Sequence, residues 1–270
     1  MKHIKYIFLL SIIFFACDEI NPVNDFSNDY TFICVLKNDQ PIQKAYLYKA
    51  MDIKGDISPA NAFIPDAEII ISDGMISSQL QVRNFESYNP EYSDDSVFYG
   101  KILPNTKYDL QIKVNNEIVT GSTTTPGEFA INRPSNDTIL YQDTNDGYSY
   151  IHINWSKSAN SFQYLVYSTI KYRSNDGEEW EHVVNTNTAN TSFGFEPIYT
   201  YGTFQNPTLE SPGEYVEIKY YAYQVAFTVY AVDKNYYDYN ILKRDRAGLS
   251  AQYGVFGSAI VASCNIYVKY

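Results

Sequence analysis

Alternation of apolar and polar residues is clearest in the segment KYDLQIKV, residues 107–114. Its apolar residues fall at every second position: Tyr108, Leu110, Ile112 and Val114. A period of two places apolar side chains on one face of a β-strand and polar side chains on the other. The dipeptide Asn115-Asn116 is a turn signal, so the segment predicts a β-hairpin with a second strand over 118–123.

The first half of the chain repeats this kind of pattern at short intervals and contains no sustained helical period. Strands are predicted over 30–36, 44–49, 67–72, 77–82 and 97–102. Short strands separated by turn residues predict an antiparallel β-sandwich. Pro126, Gly127 and Pro134 then interrupt the pattern, which predicts a boundary between two units.

The second half begins a new series of strands near Ile139. Its signature is a strand that ends in Trp155, a following strand with Tyr164, and a long alternating strand that starts at Tyr223. This arrangement resembles the fibronectin type III pattern, in which Tyr223 would be the corner tyrosine. Residues 193–212 show little periodicity and are predicted to be a long insertion.

These patterns predict an all-β protein with two consecutive β-sandwich domains after a lipoprotein signal peptide. The predicted parts are the signal peptide at 1–16, a lipidated tether at 17–28, an immunoglobulin-like sandwich at 29–126, a linker at 127–138 and a fibronectin type III-like sandwich at 139–270.

The N-terminus predicts a secreted protein. Lys2, His3 and Lys5 precede the apolar run 6–16, which is too short to span a bilayer and is typical of a signal peptide. The run ends in Ala16-Cys17, which resembles the lipobox of bacterial lipoproteins. The resemblance implies that Cys17 carries the lipid and becomes the first residue of the mature chain, with the lipid holding the protein at a membrane.

Asp18 and Glu19 follow the predicted lipid site directly. In some Gram-negative groups, acidic residues at this place resemble a surface-export signal, and in others Asp resembles an inner-membrane retention signal. We expect an outer-membrane protein that faces the outside of the cell, with the periplasmic face as the alternative.

Composition narrows the function further. The formal net charge is −11, which disfavours nucleic acid as a partner because phosphate binding needs a basic surface. The 27 tyrosines favour recognition surfaces, since a tyrosine offers a large ring and a polar tip. Two groups of aromatic residues are therefore the candidate binding surface: Tyr199, Tyr201 and Phe204 in the insertion, and Tyr236, Tyr237 and Tyr239 at a sandwich end. The alternative is that these aromatic residues cap the core or pack between the two domains.

Metal and thiol chemistry receive less support from the sequence. Asp143, Asn145 and Asp146 lie on an acidic turn that lacks the spacing of an EF-hand, so they are weak calcium candidates and no cofactor is predicted. Cys34 and Cys264 fall in different predicted domains, which favours two separate buried thiols over a disulfide.

Several motifs together resemble a family of Gram-negative lipoproteins known by a domain of unknown function, the DUF4249-like lipoproteins. They are FIPDAEIIIS, KILPNTKYDLQIKV, TTTPGEFAI and YGVFGS. The resemblance implies an immunoglobulin-like first domain, a fibronectin-like second domain and, by association, a role beside outer-membrane nutrient transporters.

The hypothesis that we favour is a non-catalytic, lipid-anchored binding or accessory protein whose partner is a protein at the outer membrane. A carbohydrate-binding surface lipoprotein is the first alternative. A hydrolase with a carboxylate pair is the second, and no catalytic motif supports it.

Overall fold

A computed structural model describes residues 29–40, 43–49, 59–84, 90–94, 102–141, 150–175, 177–204 and 215–270. The predicted lipid site and export signal, Cys17, Asp18 and Glu19, lie outside this part of the chain. The weak calcium candidates Asp143, Asn145 and Asp146 do as well.

The described residues form an all-β fold, which confirms the predicted fold class. The strands are β1 (Tyr30–Lys37), β2 (Gln43–Lys49), β3 (Glu68–Ser72), β4 (Ser77–Arg83), β5 (Glu91–Asp94), β6 (Lys107–Val114), β7 (Glu117–Thr124), β8 (Ile131–Asn132), β9 (Thr138–Leu140), β10 (Ile151–Trp155), β11 (Gln163–Ser174), β12 (Glu179–Thr188), β13 (Ser192–Phe195), β14 (Ile198–Phe204), β15 (Tyr215–Val232), β16 (Arg246–Ala247) and β17 (Tyr253–Lys269). The helices are α1 (Pro59–Ala62), a 3₁₀ turn (Ser135–Asp137) and α2 (Lys234–Asn240).

One large sheet runs through the molecule in the order β12-β11-β15-β17-β1-β2-β5-β4-β3-β6-β7. β14 adds to β15, while β16 and β9 add to β17, and a separate three-stranded sheet has the order β13-β10-β8. The strand predicted at 97–102 falls mostly outside the described residues, and β5 had no counterpart in the sequence prediction.

Two large hydrophobic clusters fill the interior. In the first, Phe32 of β1 and Leu47 of β2 pack with Ile69 of β3 and Ile112 of β6. In the second, Trp155 of the small sheet packs with side chains of β11, β15 and β17. Each cluster lies between facing strands whose inward residues alternate with polar ones, which is the arrangement of a β-sandwich.

β17 contributes to both clusters. Its first part, Tyr253–Ala259, pairs in parallel with β1, and its second part, from Ala259 to Tyr267, pairs antiparallel with β15. Phe256 therefore belongs to the first cluster, while Ile266 belongs to the second. The first and last strands of the described chain lie side by side, and the predicted domain boundaries stay a prediction.

The tyrosine corner lies in the first sandwich. The hydroxyl of Tyr108, at the start of β6, accepts a hydrogen bond from the backbone N–H of Leu103 at 3.0 Å. A tyrosine near the start of a strand that binds the backbone a few residues upstream is the geometry of such a corner.

Tyr223 does not take the role that the sequence suggested for it. A register shift in the pairing of β15 with β11 lies between Lys171 and Tyr172, opposite Tyr223. This bulge changes the alternation, so Ala222 and Val225 are both fully buried while Tyr223 is only half-buried. The Tyr223 ring packs instead against the guanidinium of Arg173, at 4.6 Å from the ring centroid.

Two segments for which the sequence predicted no strand or helix form regular structure. The described part of the insertion predicted at 193–212 forms most of β13 and all of β14, which pair with β10 and β15. The segment 234–240 is the helix α2, because the Asp233 side chain caps it by accepting a hydrogen bond from the N–H of Tyr236 at 2.8 Å.

Candidate functional site

Four aromatic rings meet at one end of the second sandwich. We call Tyr172, Trp180, Tyr199 and Tyr220 the aromatic cluster. The centroid of Trp180 lies 4.8 Å from that of Tyr199 and 5.2 Å from that of Tyr172, with interplanar angles of 33° and 34°. The ring centroid of Trp180 also lies 6.4 Å from that of Tyr220 and 5.5 Å from that of the His182 imidazole.

Strand register brings these rings together. Tyr172 of β11 pairs with Trp180 of β12, and Tyr199 of β14 pairs with Tyr220 of β15. Paired residues of neighbouring strands project from the same face of a sheet. The bulge at Tyr223 turns the first part of β15 so that Tyr220 shares a face with the buried Ala222.

The members of the aromatic cluster differ in exposure. Tyr172 is buried, with 3% of its surface exposed, and burial raises its pKa to about 12. Trp180 is 36% exposed and Tyr199 is 38% exposed. The cluster therefore seals the end of the core with its inner rings, and about a third of the surface of each of the two outer residues stays exposed.

Carboxylates and carbonyls surround the aromatic cluster. The Tyr172 hydroxyl donates to the carbonyl oxygen of Glu196 at 2.8 Å, and the Tyr220 hydroxyl donates to Oε2 of Glu178 at 2.8 Å. The Tyr150 hydroxyl donates to Oε1 of Glu196 at 3.1 Å. The rim of the cluster is therefore acidic.

The charged pairs of β11 and β12 lie on the other face of the sheet. Arg173 contacts Glu179 at 2.5 Å, and Lys171 contacts Glu181 at 3.3 Å. These four residues occupy the positions that alternate with Tyr172 and Trp180, so they project away from the aromatic cluster. The cations of these two strands consequently do not neutralise the acidic rim.

The aromatic cluster and the start of β1 lie toward opposite ends of β17. Thr31 of β1 pairs with Tyr253, the first residue of β17. At the other end, the Tyr270 hydroxyl donates to the carbonyl oxygen of Pro197, two residues before Tyr199. At about 3.3 Å per residue, β17 spans roughly 50 Å between these ends. A segment that precedes β1 therefore joins the molecule far from the aromatic cluster.

The structure brings only one of the three aromatic residues predicted in the insertion into the aromatic cluster. Tyr199 belongs to the aromatic cluster, whereas Tyr201 and Phe204 lie in β14 with side chains outside the described part of the structure. Trp180, the ring at the centre of the cluster, was not proposed from the sequence. The sequence contained a signal, because the residues Asn175-Asp176-Gly177 are typical of a hairpin turn and Trp180 follows them closely. In the structure Trp180 pairs with Tyr172.

The three tyrosines of α2 do not form a common surface. Tyr236 packs against a small core cluster with Val232 and Ala259. The Tyr237 ring lies 4.7 Å from the ring of Phe162. Tyr239 instead lines an open cleft of about 390 Å³. Tyr236 and Tyr239 are three positions apart and so lie on one side of the helix, whereas Tyr237 lies on another. The candidate surface at α2 is divided, because Tyr236 packs into the core and Tyr237 packs against Phe162.

The cleft beside Tyr239 is mixed in charge. Lys243, Arg244 and Asp245 line it together with Tyr253. The Arg244 guanidinium is held by the buried carboxylate of Asp238 at 3.1 Å, which Lys234 also contacts. These ion pairs fix the loop after α2.

Both cysteines of the described chain are free and buried. Burial raises the pKa of the Cys34 thiol to about 12 and also raises the pKa of Cys264. The preferred interpretation of two separate buried thiols is confirmed.

Within the described ranges, no group of three or more His, Cys, Asp or Glu side chains is arranged to hold a metal ion. Within the same ranges, no helix has the length and apolar character needed to cross a membrane.

The fold and the site together define an all-β protein of β-sandwich sheets with a partly exposed aromatic cluster at one end. The chain belongs to the family described as a domain of unknown function (DUF4249), since the model of that family matches residues 19–254. This match confirms the resemblance found in the sequence. A comparison with curated proteins found no match to the chain.

Proposed function

We propose that the protein is a non-catalytic, lipid-anchored outer-membrane protein that binds a partner or ligand through the aromatic cluster. In this role it is an accessory component beside an outer-membrane nutrient transporter. The observation that carries the proposal is the exposure of Trp180 and Tyr199, about a third of the surface of each residue, at an end remote from the start of β1.

The proposed anchor supports this arrangement. A lipid on Cys17 would attach the chain through the segment that precedes β1, and the aromatic cluster lies roughly 50 Å along β17 from that strand's start. Partly exposed aromatic rings are characteristic anchors of binding surfaces, because burying them releases water from a large area at low entropy cost.

The anchor is tested by metabolic labelling with a fatty-acid analogue. Wild-type protein is expected to incorporate the label, and Cys17→Ser is expected to lose it. Protease treatment of intact cells then tests the orientation, since a surface protein is degraded and a protein on the periplasmic face is protected. Label that persists in Cys17→Ser contradicts the proposed anchor.

The binding role is tested by co-purification from detergent-solubilised outer membranes. A transporter component is expected to co-purify with wild type and to be lost with Trp180→Ala. Tyr253→Ala is the matched control, because Tyr253 is 44% exposed at the opposite end of β17. Equal recovery with all three proteins excludes the aromatic cluster as the contact surface.

Carbohydrate binding is the second candidate, and the aromatic cluster favours it specifically. Stacked rings beside carboxylates suit a sugar, which presents both C–H faces and hydroxyl groups. In this case the protein binds glycan directly and delivers it to the transporter.

A further inference from the structure

The aromatic cluster has a surface chemistry that narrows the class of ligand. We propose that, in the binding role proposed above on which this inference rests, the cluster binds a neutral glycan by stacking a pyranose ring on Trp180 and Tyr199. The site requires no metal and makes no covalent bond to the sugar.

The ring faces supply the apolar part of the site. The ring centroids of Trp180 and Tyr199 lie 4.8 Å apart at an angle of 33°, so the two rings pack against each other, and both residues keep about a third of their surface exposed. Aromatic faces carry partial negative charge, and the C–H bonds on one face of a pyranose carry partial positive charge. A sugar ring therefore gains both electrostatic attraction and apolar burial on these rings.

The buried ring of Tyr172 holds Trp180 in position. Trp180 also contacts the buried ring of Tyr172 at 5.2 Å, and the hydroxyl of Tyr172 is bound to the Glu196 carbonyl. Because Tyr172 is 3% exposed and its hydroxyl is satisfied, this ring is fixed within the core. Side chains that are already ordered before binding, as we infer for Trp180, lose little conformational entropy when the ligand binds.

The polar rim supplies the acceptors that sugar hydroxyls need. Glu178 and Glu196 lie beside the cluster, where they accept hydrogen bonds from Tyr220 and Tyr150. A carboxylate has two oxygens and several lone pairs, so it accepts further hydrogen bonds from sugar hydroxyls. Bonds of this kind to a charged acceptor are stronger than neutral ones.

Charge selects a neutral glycan over an anionic one. The cations in the described parts of β11 and β15 are Lys171, Arg173 and Lys219. They alternate along their strands with residues that face the cluster, so they project from the opposite face of the sheet. The rim on the cluster face is acidic, and the formal net charge of the whole chain is −11. Uronate or sulfate groups would be repelled at this site.

The decisive experiment is affinity electrophoresis of residues 18–270, the chain without its predicted signal peptide and lipid-bearing cysteine, in gels that contain one polysaccharide each. The neutral panel consists of starch, mannan, xylan, β-glucan and galactan, and polygalacturonate and heparin are the anionic controls. Wild type is expected to be retarded by at least one neutral polysaccharide and by neither anionic one.

Two variants carry the test and two serve as controls. Trp180→Ala and Tyr199→Ala are each expected to weaken binding about tenfold, the loss that corresponds to one good aromatic contact. Trp180→Phe keeps a stacking ring and is expected to retain most of the binding. Tyr253→Ala, at the opposite end of β17, is expected to bind like wild type.

Intrinsic fluorescence gives an independent measurement. The chain has two tryptophans, of which Trp155 is 2% exposed and Trp180 is 36% exposed. Soluble oligosaccharide from the neutral polysaccharide that binds is expected to change the Trp180 emission and to protect it from acrylamide. The same titration of Trp180→Phe is expected to show no change. Unchanged melting temperatures show that the variants are folded.

The outcomes separate this inference from the proposed function. Absence of retardation by the whole neutral panel overturns the glycan inference, and so does binding that Trp180→Ala leaves intact. If glycan binding fails while co-purification of a membrane protein depends on Trp180, the proposed binding role stands with a protein as the ligand. Polysaccharide cleavage during the assay contradicts the non-catalytic role.

Discussion

Thr123 and Asp233 are 110 positions apart in the chain, yet the Thr123 hydroxyl donates a hydrogen bond to the buried Asp233 carboxylate. The same hydroxyl lies 3.0 Å from the hydroxyl oxygen of Ser258 in β17. Asp233 also caps α2 through its bond from the N–H of Tyr236. One carboxylate thus connects β7, α2 and β17 at the junction of the two sandwiches.

Replacement of Asp233 by Ala is expected to lower the free energy of unfolding by about 2–4 kcal/mol. The substitution removes the helix cap and leaves the buried Thr123 hydroxyl without its carboxylate acceptor. Urea unfolding measures the effect. Asp233→Asn is the control, because its amide oxygen still accepts at the cap, and it is expected to lose less. Equal losses in the two variants would contradict the role of the cap.

The stability contributed by Asp233 is expected to depend on pH. Burial raises the pKa of this carboxyl above its ordinary value of 3.8, so the folded protein holds the proton more tightly than the unfolded chain. The favourable contribution is present at low pH and is lost as the pH rises through the folded-state pKa. The free energy of unfolding is measured for wild type and for Asp233→Asn from pH 4 upwards. As the pH rises, wild type is expected to lose stability relative to Asp233→Asn.

Gly254 is expected to be irreplaceable in β17. Its φ is +110°, and a Cβ atom there would lie 1.9 Å from the carbonyl oxygen of Phe32 in β1. Gly254→Ala is expected to cost more than about 3 kcal/mol or to prevent folding, since it combines backbone strain with a clash against a fixed backbone. Gly177→Ala is the matched control: its φ is +93° and no atom lies within 4 Å of the added Cβ. Backbone strain alone is expected to cost about 1–2 kcal/mol there, as measured by urea unfolding.

The hydroxyl groups of two buried tyrosines are expected to stabilise the first sandwich. The Tyr108 hydroxyl accepts a hydrogen bond from the N–H of Leu103 at 3.0 Å. The Tyr92 hydroxyl accepts from the N–H of Ala67 at 3.0 Å and donates to the Ile64 carbonyl at 2.6 Å. Tyr108→Phe and Tyr92→Phe are each expected to cost about 1–2 kcal/mol, because each substitution removes a hydrogen-bonding group from a buried ring. Negligible losses in chemical unfolding would contradict this role of the hydroxyl groups.

The two thiols are expected to be inert in the folded protein. Cys34 and Cys264 are buried and free, and burial raises the pKa of each thiol, so little reactive thiolate is present near pH 8. An Ellman titration of residues 18–270 is expected to detect almost no thiol under native conditions and two thiols in denaturant without reductant. Fewer than two in denaturant would indicate a disulfide.

Local patterns predicted many of the strands accurately. β6 has the predicted bounds, because its strict alternation encodes one buried face and one exposed face without reference to the rest of the chain. Asn115, with a φ of 54°, makes the predicted turn into β7. The helix α2 was missed although its capping residue, Asp233, is visible in the sequence, because a run of tyrosines after a strand suggests a loop or a further strand.

The aromatic cluster was predictable only in part. Tyr199 was predicted as a binding residue from its aromatic neighbours in the sequence. The contact between Tyr199 and Trp180 was not predicted, because the two residues meet only when β12, β11, β15 and β14 pair in one register. The bulge at Tyr223 also changes which residues of β15 face the cluster. The sequence hides this shift, because Tyr223 is itself apolar and continues the alternation of Val225 and Phe227.

The sequence by itself determined the all-β class, the alternation of the strands and the motifs that mark the family, because each depends on residues close together in the chain. The tertiary structure decided that β1 lies beside β17, that Asp233 joins β7 to α2, and that Trp180 meets Tyr199. Pairing between distant strands depends on register, twist and bulges summed over the whole sheet, so no local segment specifies it. The candidate binding surface is a product of that pairing.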